Sequence, residues 1–375
     1  MRLYLLLLAL MWTLPVSSAG YQQVVITEFG GADKLQLQQV AELPEPGAGE
    51  VRVRVLTASA SFTDIMVRKG LYAGVSEEPP FAPGYDLVGI IDKLGTGVDH
   101  LDLGQRVADL TVIGAYSEYV ILPAINVVPL PPEISDEEAV ALILSYTTAY
   151  QMLYRSAQIE AGQTILIHGA SGAVGTALAQ LGRVSGLKMY GTASAGKHDY
   201  VRSLGVTPID YRAEDFVARL QQETGATGVD AAFDAISVDN FQRSYATLAP
   251  DGRLVTYGFY LASRDGDSML TTAAEFLRWS WQKLLWQWFP DAQKSVEFYS
   301  IADVREQHPD WFIEDLNSLF ELLLEGNIKP EIWAVKPLSE AASAHRDIES
   351  GAVRGKIVLR VTTPQKSSKI QLQSR

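Results

Sequence analysis

Two glycines three residues apart stand in Ala170-Ser171-Gly172-Ala173-Val174-Gly175, between an apolar run at residues 164–168 and a helical pattern at 176–185. This order of strand, small-residue turn and helix suits a pyrophosphate. At a helix start, unpaired backbone N–H groups and the positive end of the dipole face the anion, provided no Cβ holds it off. Gly172 stands where the backbone must approach closest and Gly175 where helix and strand must pack closely, while Ala170 replaces the usual first glycine. Ser171, Gly172, Ala173, Val174 and Gly175 are therefore read as a dinucleotide cradle. Small-residue turns also serve plain packing; the flanking strand and helix are what favour a cofactor.

The next apolar run, residues 188–192, bears on which dinucleotide. A site for NAD usually places Asp or Glu about 20 residues beyond the glycines, on the ribose hydroxyls. Here Ala193, Ser194, Ala195 and Gly196 follow, then Lys197. Ser194 and Lys197 can donate to a 2′-phosphate, as can Tyr211 and Arg212 after the next strand, so the pattern points to NADPH. A solvated loop with a chance lysine is the plainer alternative.

Other chemistry is limited by composition. The chain has no cysteine, which removes disulfides, thiolate nucleophiles and thiolate zinc sites together. The five histidines show no ligand spacing, and His168, beside the glycine turn, reads as a packed or hydrogen-bonded strand end. A net charge of −13 without a basic cluster argues against nucleic acid or an anionic membrane as the main partner. An anionic ligand must then be held by local donors.

The elements that position these residues fall into two groups. Residues 23–27, 35–40, 50–59, 86–94, 106–110 and 116–122 read as strands punctuated by Gly and Pro, the spacing of a β-rich partial barrel. From Ser135 the pattern changes to a capped helix reaching residue 144, another at 147–156, and strand–helix alternation to residue 260. Strands at 164–168, 188–192, 208–210, 231–234 and 253–257 predict a doubly wound parallel sheet. Residues 268–289 form an unusual aromatic helix. Leu277, Trp281, Leu284, Leu285 and Trp288 share one face, which fits a helix packed over the domain cleft, with membrane contact the alternative. Residues 295–301 read as a strand, 311–325 as an amphipathic helix and 356–361 as a closing strand. With residues from 327 returning to the first unit, the domains are 20–144 plus 327–362, and 145–326 inserted between them, a ligand cleft lying at their junction.

Residues 1–19 have the layout of a secretory signal: Arg2, an apolar run from Leu3 to Leu14, Pro15, then small residues. NADPH is kept in the cytosol, so three readings stand: a cleaved signal, an uncleaved tether or apolar cap on a cytosol-facing enzyme, and an overlong start. Export, tethering and a cytoplasmic location all remain open.

The segment Gly84-Tyr85-Asp86-Leu87-Val88-Gly89, continuing to Gly95 and Val98, resembles the signature G-H-E-x-x-G-x5-G-x2-V of medium-chain dehydrogenases/reductases. Tyr85 replaces the zinc-ligand histidine, Asp86 the glutamate, and Ser61 in Ser61-Phe62-Thr63-Asp64 the zinc cysteine. The nucleotide segment from Gly162 to Arg183 resembles the zinc-free quinone oxidoreductase and zeta-crystallin branch, with Ala173 in place of a glycine. The resemblance implies a doubly wound Rossmann domain inserted in a β-rich, GroES-like partial-barrel catalytic domain, no metal, and a homodimer paired through residues 295–301. It implies hydride transfer from NADPH to a small electrophilic acceptor, a quinone or an α,β-unsaturated carbonyl. By the same resemblance Thr148, Ser194, Lys197, Tyr211, Gly258 and Lys356 contact the cofactor. Tyr72 lines the substrate cleft, where it is the candidate proton donor, alongside Ser61, Met66 and Tyr85. Ser61 and Met66 depart from that branch's asparagine and tyrosine. A reading of another class is a binding protein without catalysis on the same scaffold, membrane-associated through residues 1–19 or 273–290.

Overall fold

A computed structural model describes residues 20–72, 74–260, 269–288 and 293–361. The signal-like residues 1–19 and the tail from 362 lie outside the described residues. The strand Glu50–Ala60 organises the first half of the chain. Alternate Val51, Val53 and Val55 are fully buried, as a strand with one core-facing side requires. One edge pairs antiparallel with Leu87–Leu94; the other is shared, its first half taken by Tyr119–Pro123 and its second by Lys356–Arg360. Arg106–Asp109, Val128–Pro129 and Ile332–Pro337 complete a seven-stranded sheet, and Tyr21–Ile26 and Leu35–Val40 make a separate hairpin. Two strands after residue 327, Ile332–Pro337 and Lys356–Arg360, thus lie in the first sheet.

This placement is locked by a buried guanidinium. Arg68, fully buried at the end of the helix Phe62–Arg68, donates to Gly30 O at 3.0 Å and to Glu349 Oε1 at 2.6 Å. Its Nη1 lies 3.3 Å from Nδ1 of His345, whose other ring nitrogen is 3.0 Å from the Tyr116 hydroxyl. Burial, then the Arg68 charge, pushes the imidazole of His345 down to about 3. The helix Ala341–Glu349 is thereby fixed on the first sheet.

The second sheet has six parallel strands in the order Thr207–Asp210, Lys188–Ala193, Thr164–Ile167, Val229–Asp234, Leu248–Thr256, Ser295–Phe298. It is buried on both faces: Ile165 and Ile167 join one apolar cluster with Leu178, Phe312, Leu316 and Phe320, while Leu166 joins another with Tyr190, Phe241 and Leu254. The first cluster continues through Val140 and Ile143 to Tyr85 and Val88, so it runs unbroken between the two sheets. The helix Asp136–Ile143 starts at Ser135, whose hydroxyl caps Glu138 N, as expected.

Two expectations are corrected. The strand expected at 295–301 ends at Phe298, because Ser300 caps a new helix, Ile301–Gln307. The aromatic helix Met269–Trp288 forms, but on the opposite face from that expected. Trp279 is buried beside Phe298, Trp286 stacks on Tyr245 at 4.4 Å, and Phe276 meets Phe259. The helix lies along the edge strand Ser295–Phe298 and the helix Val238–Ala246. Three rings on its inward side outweigh the Leu/Trp stripe, which leaves Leu277, Trp281 and Trp288 about two-thirds exposed. Among the described residues, no helix is long and apolar enough to cross a membrane.

Candidate active site

The strand Thr164–Ile167 is central in the parallel sheet, and the strand order reverses around it, the place where open α/β sheets bind ligands. After it the chain turns at Gly169, with φ +64°, and Gly172 starts the helix Ala173–Val184 without a side-chain cap. The first-turn N–H groups therefore have no side-chain partner, as an anion site requires. Ser171 is buried, and Ala173 and Val174 are half-buried beside it. A Cβ at Gly175 would stand 2.3 Å from Gly169 O and 2.7 Å from Ala170 Cα. At Gly172 a Cβ would meet Gly169 O alone, at 3.3 Å, so packing demands a glycine at 175 and not at 172. His168 is a satisfied strand end, its ring 3.1 Å from Thr192 Oγ1 and 2.9 Å from Ser244 Oγ.

Ser194 and Tyr211 follow neighbouring strand ends, since Ala193 pairs with Asp210. The Asp210 carboxylate is turned into its own loop, accepting from Arg212 N at 3.0 Å. Lys197 closes the short turn Ala195–Lys197, and its ammonium donates to Gly351 O at 2.8 Å and Val353 O at 2.9 Å. Burial, then the nearby charge of Arg354, holds that ammonium below its usual value. The same C-terminal loop reaches the glycine turn, where Gly355 N donates to Ser171 O at 3.3 Å and Gly355 bridges to Gly172. With the loop there, the space beside the helix start is a cavity of about 10 Å³ lined by Ser145, Thr176, Gly355 and Lys356.

The residues expected on the substrate side are two tyrosines and a serine-capped helix, with two buried carboxylates beside them. Tyr72 and Tyr85 share a hydroxyl–hydroxyl bond of 2.6 Å, with rings edge-to-face at 5.8 Å. Burial raises both phenols above their usual range, and Tyr85 well above it. Ser61 caps the helix Phe62–Arg68 in a capping box: its N and Oγ donate to Asp64 Oδ2 at 2.7 and 2.5 Å, while Asp64 N donates to its Oγ. The Ser61 hydroxyl is thus committed to Asp64, and Met66 lies half-buried on the same helix. Asp86 accepts from Ser59 N and Ser59 Oγ, and its other oxygen is 3.6 Å from the Lys356 ammonium. Lys356 Nζ also lies 3.4 Å from Ser145 Oγ. Thr148 is buried on the helix Ser145–Tyr150, which runs into a π-helical stretch, Gln151–Ser156. Gly258 follows the strand Leu248–Thr256.

Comparison with known proteins places this geometry. The model of the alcohol dehydrogenase GroES-like domain matches residues 47–132, and that of the zinc-binding dehydrogenase matches residues 204–359. The human synaptic vesicle membrane protein VAT-1 homolog is 32% identical over 353 residues, covering 92% of this chain and 87% of that protein. Rat quinone oxidoreductase is 29% identical over 340 residues, covering 89% and 96%. The solved structure of Escherichia coli quinone oxidoreductase complexed with NADPH superposes with a TM-score of 0.79 at 28% identity, over 91% of this chain and all of that one. The chain belongs to the medium-chain dehydrogenase/reductase superfamily. Within this oxidoreductase family it stands in the zinc-free, quinone-oxidoreductase-like branch, with the mixed GroES-like and Rossmann-like architecture of that branch.

Zinc does not fit here. Where medium-chain enzymes of the zinc type hold the metal, this chain has a helix-capping serine, a phenol and a carboxylate already faced by an ammonium. Among the described residues no group of three His, Cys, Asp or Glu side chains could hold a metal. The glycines of the 84–98 motif still serve packing, since a Cβ at Gly95 would stand 1.8 Å from Gly47 O. Sequence reading passed over Phe62 and Tyr260, whose rings meet at 4.9 Å between the two units, and Tyr299, buried with its hydroxyl 2.7 Å from Gln151 Oε1. The one local signal for Tyr260 is its place two residues after Gly258.

Two substitutions separate packing from binding at the turn. Gly175→Ala lowers the melting temperature sharply, because the Cβ meets backbone; Gly172→Ala folds near the wild-type temperature and weakens dinucleotide binding, as calorimetric titration will read. Asp64 supplies a pH test. Burial holds its carboxyl at about 7 against an ordinary 3.8. The folded chain then keeps a proton that the unfolded chain has released, so stability falls as pH rises from about 4 to about 7 and levels above. Asp64→Asn removes this loss. In denaturant titrations the variant gains on wild type across that window by up to about 4 kcal/mol, and a pH-independent difference shows that Asp64 ionises normally.

Proposed function

We propose that this protein is a zinc-independent reductase that uses NADPH to reduce a small electron-poor acceptor, a quinone or an α,β-unsaturated carbonyl. The observation that carries the reading is the pairing of an uncapped glycine helix start with Ser194 and Lys197 at the end of the adjacent strand, where an NAD site would present a carboxylate. The residues fit the cofactor: Ser171 to Gly175 take the pyrophosphate, Ser194, Lys197 and Tyr211 the 2′-phosphate, and Thr148, Gly258 and Lys356 line the nicotinamide side. The related E. coli enzyme, solved with NADPH, supports the same choice. When bound, NADPH supplies a hydride to the acceptor carbon, and charge then moves to the acceptor oxygen.

What this chain adds is position and a donor. Tyr85 is fully buried and its hydroxyl fixes that of Tyr72, which is half-buried. With Tyr85 donating to it, the Tyr72 proton is free to donate to the acceptor oxygen as negative charge develops there. Its raised pKa keeps that proton in place through neutral and alkaline pH.

The full-length chain titrated with NADPH and NADH binds NADPH more tightly, and Lys197→Ala weakens NADPH about tenfold or more while leaving NADH within about twofold. In oxidation assays with a quinone panel and an enone panel, one panel turns over, and Tyr72→Phe lowers kcat about tenfold. Binding of neither nucleotide overturns the proposal.

A second reading, a membrane-touching binding protein, is favoured by one observation, the outward Leu277, Trp281 and Trp288, and by the vesicle-membrane name of the human relative. On this reading the chain floats with neutral lipid vesicles and stays behind when Trp281 and Trp288 are replaced by Ser. Unchanged flotation of that variant rules the helix out as the contact.

A further inference from the structure

We infer that Arg354 is a phosphate-holding residue of the dinucleotide site, a second fixed cation beside Lys197. The inference rests on the cofactor reading above and extends it to a residue outside the motifs. Arg354 sits in the loop whose backbone is already fastened to the site: Gly355 N bonds Ser171 O, and Gly351 O and Val353 O accept from Lys197. Its guanidinium carbon lies 5.1 Å from the ring centre of Tyr200 and 5.3 Å from that of Trp333. The Tyr200 hydroxyl is in turn 3.1 Å from Thr176 Oγ1, in the first turn of the glycine helix. Arg354 is therefore tied, through its neighbours, to both the helix start and the Lys197 turn.

The side chain is held but not satisfied. Its Nε is buried with no hydrogen-bond partner, and among the described residues no carboxylate lies within ion-pair distance. Two rings within cation–π reach account for the guanidinium's position, an attraction that consumes none of its N–H donors. A buried donor left unpaired is unfavourable, and two neighbouring cations repel. A phosphate relieves both at once, accepting from the fork of Arg354 and from Lys197 after that ammonium leaves the loop carbonyls. Phosphate oxygens come from two parts of one dinucleotide, the 2′-phosphate and the pyrophosphate, and the test separates them.

The experiment titrates full-length wild type, Arg354→Ala, Arg354→Gln and Arg354→Lys with NADPH, NADH and adenosine 2′-monophosphate by calorimetry at two salt concentrations, alongside thermal unfolding. Arg354→Ala and Arg354→Gln are expected to raise the NADPH Kd about tenfold or more with a shallower salt dependence, and Arg354→Lys to recover part of the loss. Loss for NADPH and adenosine 2′-monophosphate with NADH unchanged assigns Arg354 to the 2′-phosphate; equal loss for NADPH and NADH assigns it to the pyrophosphate. Should Arg354→Ala unfold, the Gln and Lys variants, whose longer side chains fill more of the space beside the two rings, decide. NADPH and NADH affinities within about twofold of wild type in any folded Ala or Gln variant overturn the inference and leave the cofactor reading intact. A wild type that binds neither nucleotide overturns both.

Discussion

The strand Lys356–Arg360 holds this molecule together functionally. Hydrogen-bonded along the second half of Glu50–Ala60, it brings the end of the chain back to its beginning and aims the residues before it at the glycine turn. Gly355 and the Lys197-bound carbonyls reach the glycine turn and the Ala195–Lys197 turn because that pairing fixes their register. The Arg68 guanidinium, joined to Gly30, His345 and Glu349, secures the same return from the far side of the sheet.

The electrostatics around Asp64 and Asp86 follow from what stands where zinc-type relatives hold their metal. Asp64 and Asp86 are buried, each with one oxygen lacking a hydrogen-bond partner, and burial raises both carboxyls. Lys356 offsets part of this for each of them. The serines satisfy the remaining oxygens, so the place of three metal ligands is closed by hydroxyls and one ammonium. Breaking a buried pair of this kind typically costs about 3–5 kcal/mol, which gives the arrangement a structural hold on the helix and strands around it.

Much of this was legible in the residues because its signals are local. The strand at residues 35–40, the capped helix after Ser135 and the strand–turn–helix around Gly172 follow from periodicity, one hydroxyl and small-residue spacing within a dozen positions. The helix Phe62–Arg68 escaped notice because seven residues carry too little period to distinguish it from the strand before it. The orientation of the aromatic helix was misjudged because a hydrophobic stripe says which residues are apolar, and not which of two apolar faces finds partners; Phe298 and Tyr245 decided that. Lys197 stands out in the sequence as a donor after the second strand, but its engagement with Gly351, 154 positions away, has no local trace. Arg354 was invisible for the same reason, its two neighbouring rings lying on separate elements.

The ammonium beside Asp86 has one more consequence. A metal ion balancing a buried carboxylate is recruited from solution, exchanges with it and can be stripped by a chelator. Lys356 is part of the polypeptide, delivered to its place by the last strand as the chain folds. The counter-charge is inherited with the fold, independent of what ions the surrounding compartment supplies.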